Sequence, residues 1–364
     1  MQMAVYYESS RMISDQKMRH DTTPPDDKAQ RGQLPLVSVV MPAYNTALYI
    51  GDAIESILNQ TLQHFELIII DDGSKDGTGD IARQYAERDE RIRVIPGDHK
   101  GASHAMNLGI QEARADWVVV MHSDDVALPE RIERQYNAAQ TNPDVVIWGT
   151  DGYHINSKGQ VLSRFRVGPV SIDECQAERE QNHIVQCIHP TAMLRRDVLQ
   201  AVGGYDTDIR VAEDIDLFDR MMVYGPLVTI PEPLLGYRLH GSSLGMRRYF
   251  EQLSIAHFVI ARQKHRKETG RELSLDEFRQ QFQHRNRLWW LNERRKHAAT
   301  MYYRRAGLAY GENRYPKLVF YLFLSLLFNP LYPIRRAWDQ VISRGLLGAR
   351  RQQVVEPDKT RTDV

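Results

Sequence analysis

The chain has 364 residues with equal numbers of basic and acidic side chains, 47 of each, so its formal net charge is zero. Hydrophobic residues make up 42% and charged residues 26%, which is typical of a globular protein and gives no reason to expect a nucleic-acid partner. Only two cysteines occur, Cys175 and Cys187, in no zinc-binding spacing. They exclude a disulfide framework and, with no apolar signal segment in the first thirty residues, predict a cytoplasmic protein.

Charge is distributed unevenly along the chain. Residues 1–244 contain 23 Lys and Arg against 36 Asp and Glu, whereas residues 245–350 contain 21 against 8. We therefore predict a flexible leader (1–35), a ligand-binding domain (36–244), a basic helical extension (245–350) and a flexible tail (351–364). The basic extension indicates an anionic surface as partner, although a set of solvated helix faces would give the same count.

From residue 36 onward, short apolar runs alternate with stretches of helical periodicity. Strands are predicted at 36–41, 65–70, 91–96 and 117–121, with helices between them at 49–62, 78–88 and 102–113. This alternation predicts βαβ units and a doubly wound, mainly parallel sheet flanked by helices. Further predictions are a helix at 129–141, a strand at 145–148, a hairpin within 153–167, an extended segment at 227–239 and helices at 247–268, 275–305 and 316–328.

Two of the apolar runs end in pairs of aspartates. The first run is followed by Asp71 and Asp72, and the second by His122, Ser123, Asp124 and Asp125. Ligands of open α/β sheets bind beyond the carboxyl ends of the strands. Carboxylates alone would repel a phosphate, so four of them at this edge predict an anionic ligand held through a divalent metal, Mg²⁺ or Mn²⁺.

These runs belong to a series of linked motifs, which extends over residues 36–243. They are VSVVMPAYN at 37–45, SILNQT at 56–61, IDDGSKDGT at 70–78, GASHAMNLG at 101–109, SDD at 123–125, GGYD at 203–206 and EDIDL at 213–217. Their order resembles the family 2 glycosyltransferases of the GT-A fold. The resemblance implies an inverting, metal-dependent transfer of a sugar from a UDP-linked nucleotide-sugar to a hydroxyl of a glycan or lipid-linked acceptor, in cell-surface polysaccharide synthesis.

The residues that the resemblance implies for nucleotide binding lie at the strand ends. They are Pro42, Ala43, Tyr44, Asn45, Asp71, Asp72, Lys100, Ser123 and Asp124. Tyr44 follows a strand and a proline, so its ring can stack on a base, although a core tyrosine beside Pro42 fits the sequence equally well. Asp71 can accept a hydrogen bond from a uracil or guanine ring N–H, and Asp72 is assigned to the ribose.

Asp124 is the expected metal ligand, with His240 as a further candidate that is also compatible with a structural role. The family pattern has an acid two positions before Asp124, where this chain has His122. The family pattern also has an arginine where this chain has Met106. We therefore expect Lys100 to supply the positive side chain that contacts the nucleotide. The competing interpretation of the Ser-Asp-Asp run is an N-cap of the helix at 129–141.

By resemblance, Asp214 is the base that takes the proton of the acceptor hydroxyl. Asp125, Glu213 and Gly204 are assigned to the acceptor and donor-sugar side. Acidic residues at the start of a helix are also favourable in themselves, because they oppose the positive end of its dipole. Both roles are compatible with one another at Asp214.

Residues 318–328 form the most apolar run, which is short of the ~20 residues that span a bilayer. It is either a buried helix of a small helical cap or a helix in a membrane interface, where the basic excess favours anionic headgroups. The second interpretation places the protein peripherally at the inner face of the cytoplasmic membrane. A nucleotidyltransferase is disfavoured because residues 42–46 contain neither glycine nor lysine. A non-catalytic sugar- or lipid-binding partner of a polysaccharide assembly remains open.

Overall fold

The structure is a computed structural model that describes residues 34–239, 249–283, 287–311 and 314–335. Nearly all of the predicted leader, the predicted tail and His240 lie outside these residues. The strands are β1 (Val37–Ala43), β2 (Phe65–Asp71), β3 (Ile92–Pro96), β4 (Trp117–Val120), β5 (Val126–Ala127), β6 (Ile147–Ile155), β7 (Val161–Phe165), β8 (Met193–Arg195) and β9 (Leu227–Arg238).

The helices flank this sheet and continue beyond it. Those of the sheet domain are α1 (Ile50–Leu58), α2 (Thr78–Ala86), α3 (Ala102–Glu112), α4 (Arg131–Thr141), α5 (Ile172–Glu180), α6 (Arg196–Ala201) and α7 (Glu213–Met221), with a 3₁₀ turn at His189–Thr191. The helices that follow are α8 (Tyr249–Thr269), α9 (Leu275–Gln283), α10 (Arg287–Gly311) and α11 (Tyr315–Phe328).

Neighbouring strands of the sheet follow the order β3-β2-β1-β4-β8-β6-β9-β5, and β7 pairs with β6 as a hairpin. The four strands from β3 to β4 are parallel, whereas β8 is antiparallel to both of its neighbours. The predicted doubly wound, mainly parallel sheet is thereby confirmed. The antiparallel β8 was not predicted, because a strand of three residues has too little periodicity to be seen in the sequence.

Both faces of the parallel strands are buried, as their continuous apolar sequences predict. In β1, Val39 and Met41 pack into a cluster with Ile54 of α1, while Val40 faces the opposite cluster. That second cluster contains Met106 of α3, the residue that replaces the family's arginine. The methionine therefore fills the core instead of facing the strand ends.

Strand β1 does not stop at Pro42, as was predicted, but runs through it to Ala43. The Val40 carbonyl accepts from Met121 N, so this side of β1 faces β4. The nitrogen of Pro42, two residues later, points to the same side but lies beyond Val120, the last residue of β4 that pairs with β1. No strand N–H donor is needed at that position. Pro42 is tolerated in a central strand for that reason.

Buried ion pairs attach α8, the first helix of the basic extension, to α7. The Arg262 guanidinium donates to Asp216 Oδ1 at 2.7 Å and to Asp219 Oδ2 at 2.7 Å. Gln263 Nε2 donates to the other oxygen of Asp219 at 2.9 Å. Asp216, Asp219 and Arg262 are all buried, so each charge depends on its partners for the solvation it has lost.

Helix α11 packs against α10 on one side only. Ser325 is fully buried and its hydroxyl donates to the Ala299 carbonyl at 2.8 Å. The other side exposes large apolar residues, namely Val319, Phe320, Phe323, Leu326 and Leu327. A fully buried helix, one of the two predictions for this run, is therefore wrong. None of the described helices has the length and apolar character needed to cross a bilayer.

Gly109 of α3 lies against the sheet, where an added Cβ would stand 2.3 Å from Val40 Cγ1. Gly109→Ala should therefore lower the thermal unfolding midpoint, with a loss of about 1–3 kcal/mol from overpacking. Gly307→Ala is the matched control, because this helical glycine has no atom within 4 Å of the added Cβ. The control should be neutral or slightly stabilising, since alanine favours the helix. Equal midpoints for the two variants would contradict the proposed contact.

Candidate active site

The loops that carry most of the predicted site residues leave one edge of the sheet. Ala43 at the end of β1 is in register with Asp71 at the end of β2, and β4 beside them ends at Val120. The first and third of these loops are joined by a hydrogen bond from Thr46 Oγ1 to Ser123 Oγ at 3.0 Å. This edge is where an open α/β sheet binds its ligands.

Tyr44 is on the surface, with 44% of its area exposed, so the interpretation of it as a core tyrosine is wrong. Its ring centroid lies 4.7 Å from that of His99, at an angle of 36°. His99 is held in a left-handed conformation with its Nδ1 3.0 Å from the Asp72 carbonyl. No pattern in the sequence indicated His99, because its loop meets Tyr44 only in the folded chain.

The first aspartate pair is divided between two tasks. Asp72 is buried, and its two carboxylate oxygens accept from the backbone N–H groups of Lys100, at 3.1 Å, and Gly101, at 2.8 Å. Asp71 is more open and accepts from Ser74 N at 3.1 Å. Its Oδ2 would lie 2.1 Å from a Cβ at Gly79, so only glycine leaves this carboxylate its place.

The second pair forms a compact group with the histidine that precedes it. Ligand atoms of His122, Asp124 and Asp125 all lie within 4.8 Å of one another. Asp125 is fully buried, and burial followed by the neighbouring Asp124 charge raises the pKa of its carboxyl well above the ordinary value. The competing interpretation of this run as a helix N-cap is wrong, because β5 follows the pair and α4 begins only at Arg131.

Arg238, at the end of β9, fixes this loop in position. Its backbone N donates to Asp125 Oδ1 at 2.7 Å, and its Nε donates to the Asp124 carbonyl at 2.7 Å. The guanidinium also donates to the Ser157 carbonyl and to the Asp52 carboxylate, both at 3.1 Å. The sequence assigned no role to Arg238, because the strand that brings it here is far away along the chain.

A row of hydrogen-bonded rings extends from this group towards α7. His122 Nε2 lies 3.1 Å from His189 Nδ1, and His189 Nε2 lies 2.6 Å from the Tyr205 hydroxyl. Burial lowers the pKa of both histidines to about 4, so both are neutral near pH 7. The sequence singled out His122 as a departure from the family pattern and placed Tyr205 in the GGYD motif, but it did not indicate that these residues are linked through His189.

Glu213 and Asp214 form the first turn of α7, which follows Ala212 in a left-handed conformation. Asp214 Oδ1 accepts from Ile215 N at 2.9 Å. Burial, followed by the Asp214 charge, raises the pKa of Glu213 to about 7, and burial also raises the pKa of Asp214. His122 and Asp214 each shift the pKa of the other by their charge, so the two side chains lie in the same region of the fold. The prediction that these acids open a helix is confirmed.

Two other predicted residues have identifiable contacts. Gly204, with φ of +69°, lies so close to Asn107 that a Cβ would stand 2.4 Å from Asn107 Oδ1. The Asn107 amide in turn binds the backbone of Tyr205. The Lys100 ammonium pairs with Asp98 at 2.8 Å on the same exposed loop.

The chain is similar to several known proteins. Residues 38–203 match glycosyl transferase family 2. The O-antigen biosynthesis glycosyltransferase WbnJ of Escherichia coli is 32% identical over 220 residues, which cover 58% of this chain and 82% of that protein. The uncharacterized glycosyltransferase MJ1057 of Methanocaldococcus jannaschii is 28% identical over 230 residues, 62% of this chain and 78% of the relative. Among solved structures, residues 1–349 of S. aureus TarS in complex with UDP align with 88% of this chain and 94% of that chain, at 13% identity and a TM-score of 0.48.

The mixed sheet with its helical layers and the family match define a glycosyltransferase of GT-A-type fold. The chain belongs to the family 2 glycosyltransferases, as the order of its motifs predicted.

The raised pKa of Glu213 has a consequence for stability. With a folded value of about 7 against an ordinary 4.5, the folded protein retains a proton that the unfolded chain has lost, so stability falls as pH rises between these values. Glu213→Gln removes this loss and should stabilise the protein relative to wild type by about 1–3 kcal/mol at pH 8 and by much less at pH 5. Thermal melts at both pH values measure the difference. The exposed Glu87→Gln should show none, and a gain for Glu213→Gln that does not depend on pH would contradict the assignment.

Proposed function

We propose that this glycosyltransferase moves a sugar from a UDP-linked nucleotide-sugar to a hydroxyl of a glycan or lipid-linked acceptor in cell-surface polysaccharide synthesis. The observation that carries the proposal is the compact group of His122, Asp124 and Asp125 beyond the strand ends, in which a buried oxygen of Asp125 accepts no hydrogen bond from the described residues. The O-antigen role in the name of the relative WbnJ supports the class of product.

The residues at this edge fit a divalent ion. Asp125 Oδ2 is buried and accepts no hydrogen bond from the described part of the chain, although such an oxygen is costly to leave unpaired. Asp124 and Asp125 supply the oxygen ligands that Mg²⁺ and Mn²⁺ take in proteins. When bound, such an ion neutralises the charge of the leaving diphosphate.

The nucleoside is assigned to the surface between β1 and β2. Tyr44 and His99 offer ring faces on which a base can stack, and Pro42, Ala43 and Asn45 form the adjoining backbone. Asp71 accepts the ring N–H of uracil. Asp72 contributes by holding the backbone of Lys100 and Gly101, and Lys100 supplies positive charge from that loop.

In the transfer step, the acceptor oxygen forms a bond to the anomeric carbon as the bond from that carbon to the diphosphate oxygen breaks. Such a single displacement inverts the configuration of the sugar. The hydroxyl proton passes to the Asp214 carboxylate, whose raised pKa makes it a better base than an ordinary aspartate. Glu213, Gly204 and Asp125 line the acceptor and donor-sugar side in this assignment.

Asp214→Asn should reduce the turnover number by a factor of about 10²–10⁴, because it removes the base while keeping the side chain's shape. Binding of UDP should be unchanged in this variant. It is measured by thermal shift with and without Mn²⁺, and GDP and dTDP are tested for comparison. The measurement is release of nucleoside diphosphate from UDP-sugars in the presence of candidate acceptors. Asp208→Asn is the control, because Asp208 is an exposed aspartate shortly after the GGYD motif at 203–206. Unchanged turnover in Asp214→Asn would refute its role, and preference for GDP or dTDP would refute the UDP assignment.

We also propose that the exposed side of α11 binds an anionic membrane surface. Phe323 and Leu327 are 61% and 65% exposed, and they are one helical turn apart on the side away from α10. Residues 313–338 contain four Lys or Arg and no Asp or Glu. An apolar stripe bordered by cations suits the boundary between headgroups and acyl chains.

The variant Phe323→Glu/Leu327→Glu should bind phosphatidylglycerol vesicles at least about 10-fold more weakly than wild type, because two large side chains lose their apolar contact. Vesicle flotation at low salt measures this, and phosphatidylcholine vesicles should bind wild type more weakly. Val161→Glu changes an apolar residue that is 56% exposed on β7 and should have no effect. A wild-type protein that stays in the soluble fraction, or that binds both lipids equally, would exclude the proposed surface.

A further inference from the structure

The fully buried Asp125 carboxylate has one oxygen paired and one oxygen unpaired. Oδ1 accepts from Arg238 N at 2.7 Å, whereas Oδ2 accepts no hydrogen bond from the described residues. His122 Nδ1 lies 3.6 Å from Oδ2, which is too long for a hydrogen bond. The space between these two atoms is therefore suited to a cation that contacts both.

The other nitrogen of His122 is already engaged. His122 Nε2 lies 3.1 Å from His189 Nδ1, and His189 Nε2 lies 2.6 Å from the Tyr205 hydroxyl. When Nε2 of each histidine carries the proton and donates along this row, the lone pair of His122 is at Nδ1, on the side of Asp125. A histidine oriented by a hydrogen bond from its second nitrogen is the usual arrangement of a metal ligand.

We infer that His122 is itself a ligand to the divalent ion, through Nδ1, and that His189 and Tyr205 are positioning residues that orient it. The inference rests on the metal dependence proposed above and extends it to the identity of the ion. Its ligand set is one nitrogen from His122 and carboxylate oxygens from Asp124 and Asp125.

Such a set discriminates between metals. Mg²⁺ strongly prefers oxygen ligands in regular octahedral geometry, whereas imidazole suits transition ions. Mn²⁺ accepts both nitrogen and carboxylate oxygen, so this site should select Mn²⁺ over Mg²⁺. An acid in place of His122, which the family pattern has, would give an all-oxygen site in which this preference is weaker.

The test measures metal binding to the full chain, with MnCl₂ or MgCl₂ alone and no nucleotide present. Calorimetry should show Mn²⁺ binding at least about 10-fold more tightly than Mg²⁺ in the wild type. Pulsed EPR of the bound Mn²⁺ should show ¹⁴N modulation from one directly bonded imidazole. His122→Asp should abolish this modulation and bring the two affinities closer. His189→Gln should keep the modulation but weaken Mn²⁺ binding by about 10-fold.

His122→Asn, a second variant that adds no charge, should also lose the modulation, and thermal melts confirm that each variant is folded. His64→Asn changes an exposed histidine away from the group and should match the wild type. A wild type without ¹⁴N modulation, modulation that persists in His122→Asn, or equal affinity for the two metals would overturn the inference. The proposed function would still hold if the wild type transferred sugar equally well with Mg²⁺. A wild type that shows the ¹⁴N modulation but transfers no sugar would refute the proposed function and leave the metal-ligand role of His122 intact.

Discussion

The site depends first on Arg238, which is 2% exposed and joins the end of β9 to the loop after β4. One residue supplies a backbone donor to Asp125 and side-chain donors to the Asp124 carbonyl, the Ser157 carbonyl and Asp52. A buried guanidinium is stable only when its donors are satisfied, so the loop has little freedom to adopt another shape. The positions of the Asp125 carboxylate and of the Asp124 backbone follow from this constraint.

A second feature is the presence of two pairs of adjacent acids, Asp124 with Asp125 and Glu213 with Asp214. Burial is the main cause of the raised pKa values of Asp125, Glu213 and Asp214. Carboxylates kept so close are destabilising unless a cation joins them. These acids therefore lower the stability of the fold where the chemistry is proposed, and shifted pKa values are common at functional sites.

The basic extension has a more specific role than its net charge indicated. Arg262 is committed to Asp216 and Asp219 on α7, and Arg266 pairs with Asp219 at 3.1 Å and with Glu272. These pairs hold the helix whose first turn carries Glu213 and Asp214. Arg262 and Arg266, which are part of the positive charge of the extension, therefore hold in place the helix that carries the acid pair. The exposed apolar side of α11 is a separate feature of the same extension.

The sequence by itself determined the parallel part of the sheet, because the apolar runs of β1, β2 and β4 are buried on both faces whatever else surrounds them. It also determined the family and the candidate residues at the strand ends, since those motifs are local. Only the tertiary structure decided that Asp72 holds a loop while Asp71 stays open, and that Met106 belongs to the core. It alone brought His99 to Tyr44 and linked His122 through His189 to Tyr205. The physical reason is that these contacts join segments far apart in the chain, and no local pattern records which side chains meet when the sheet closes.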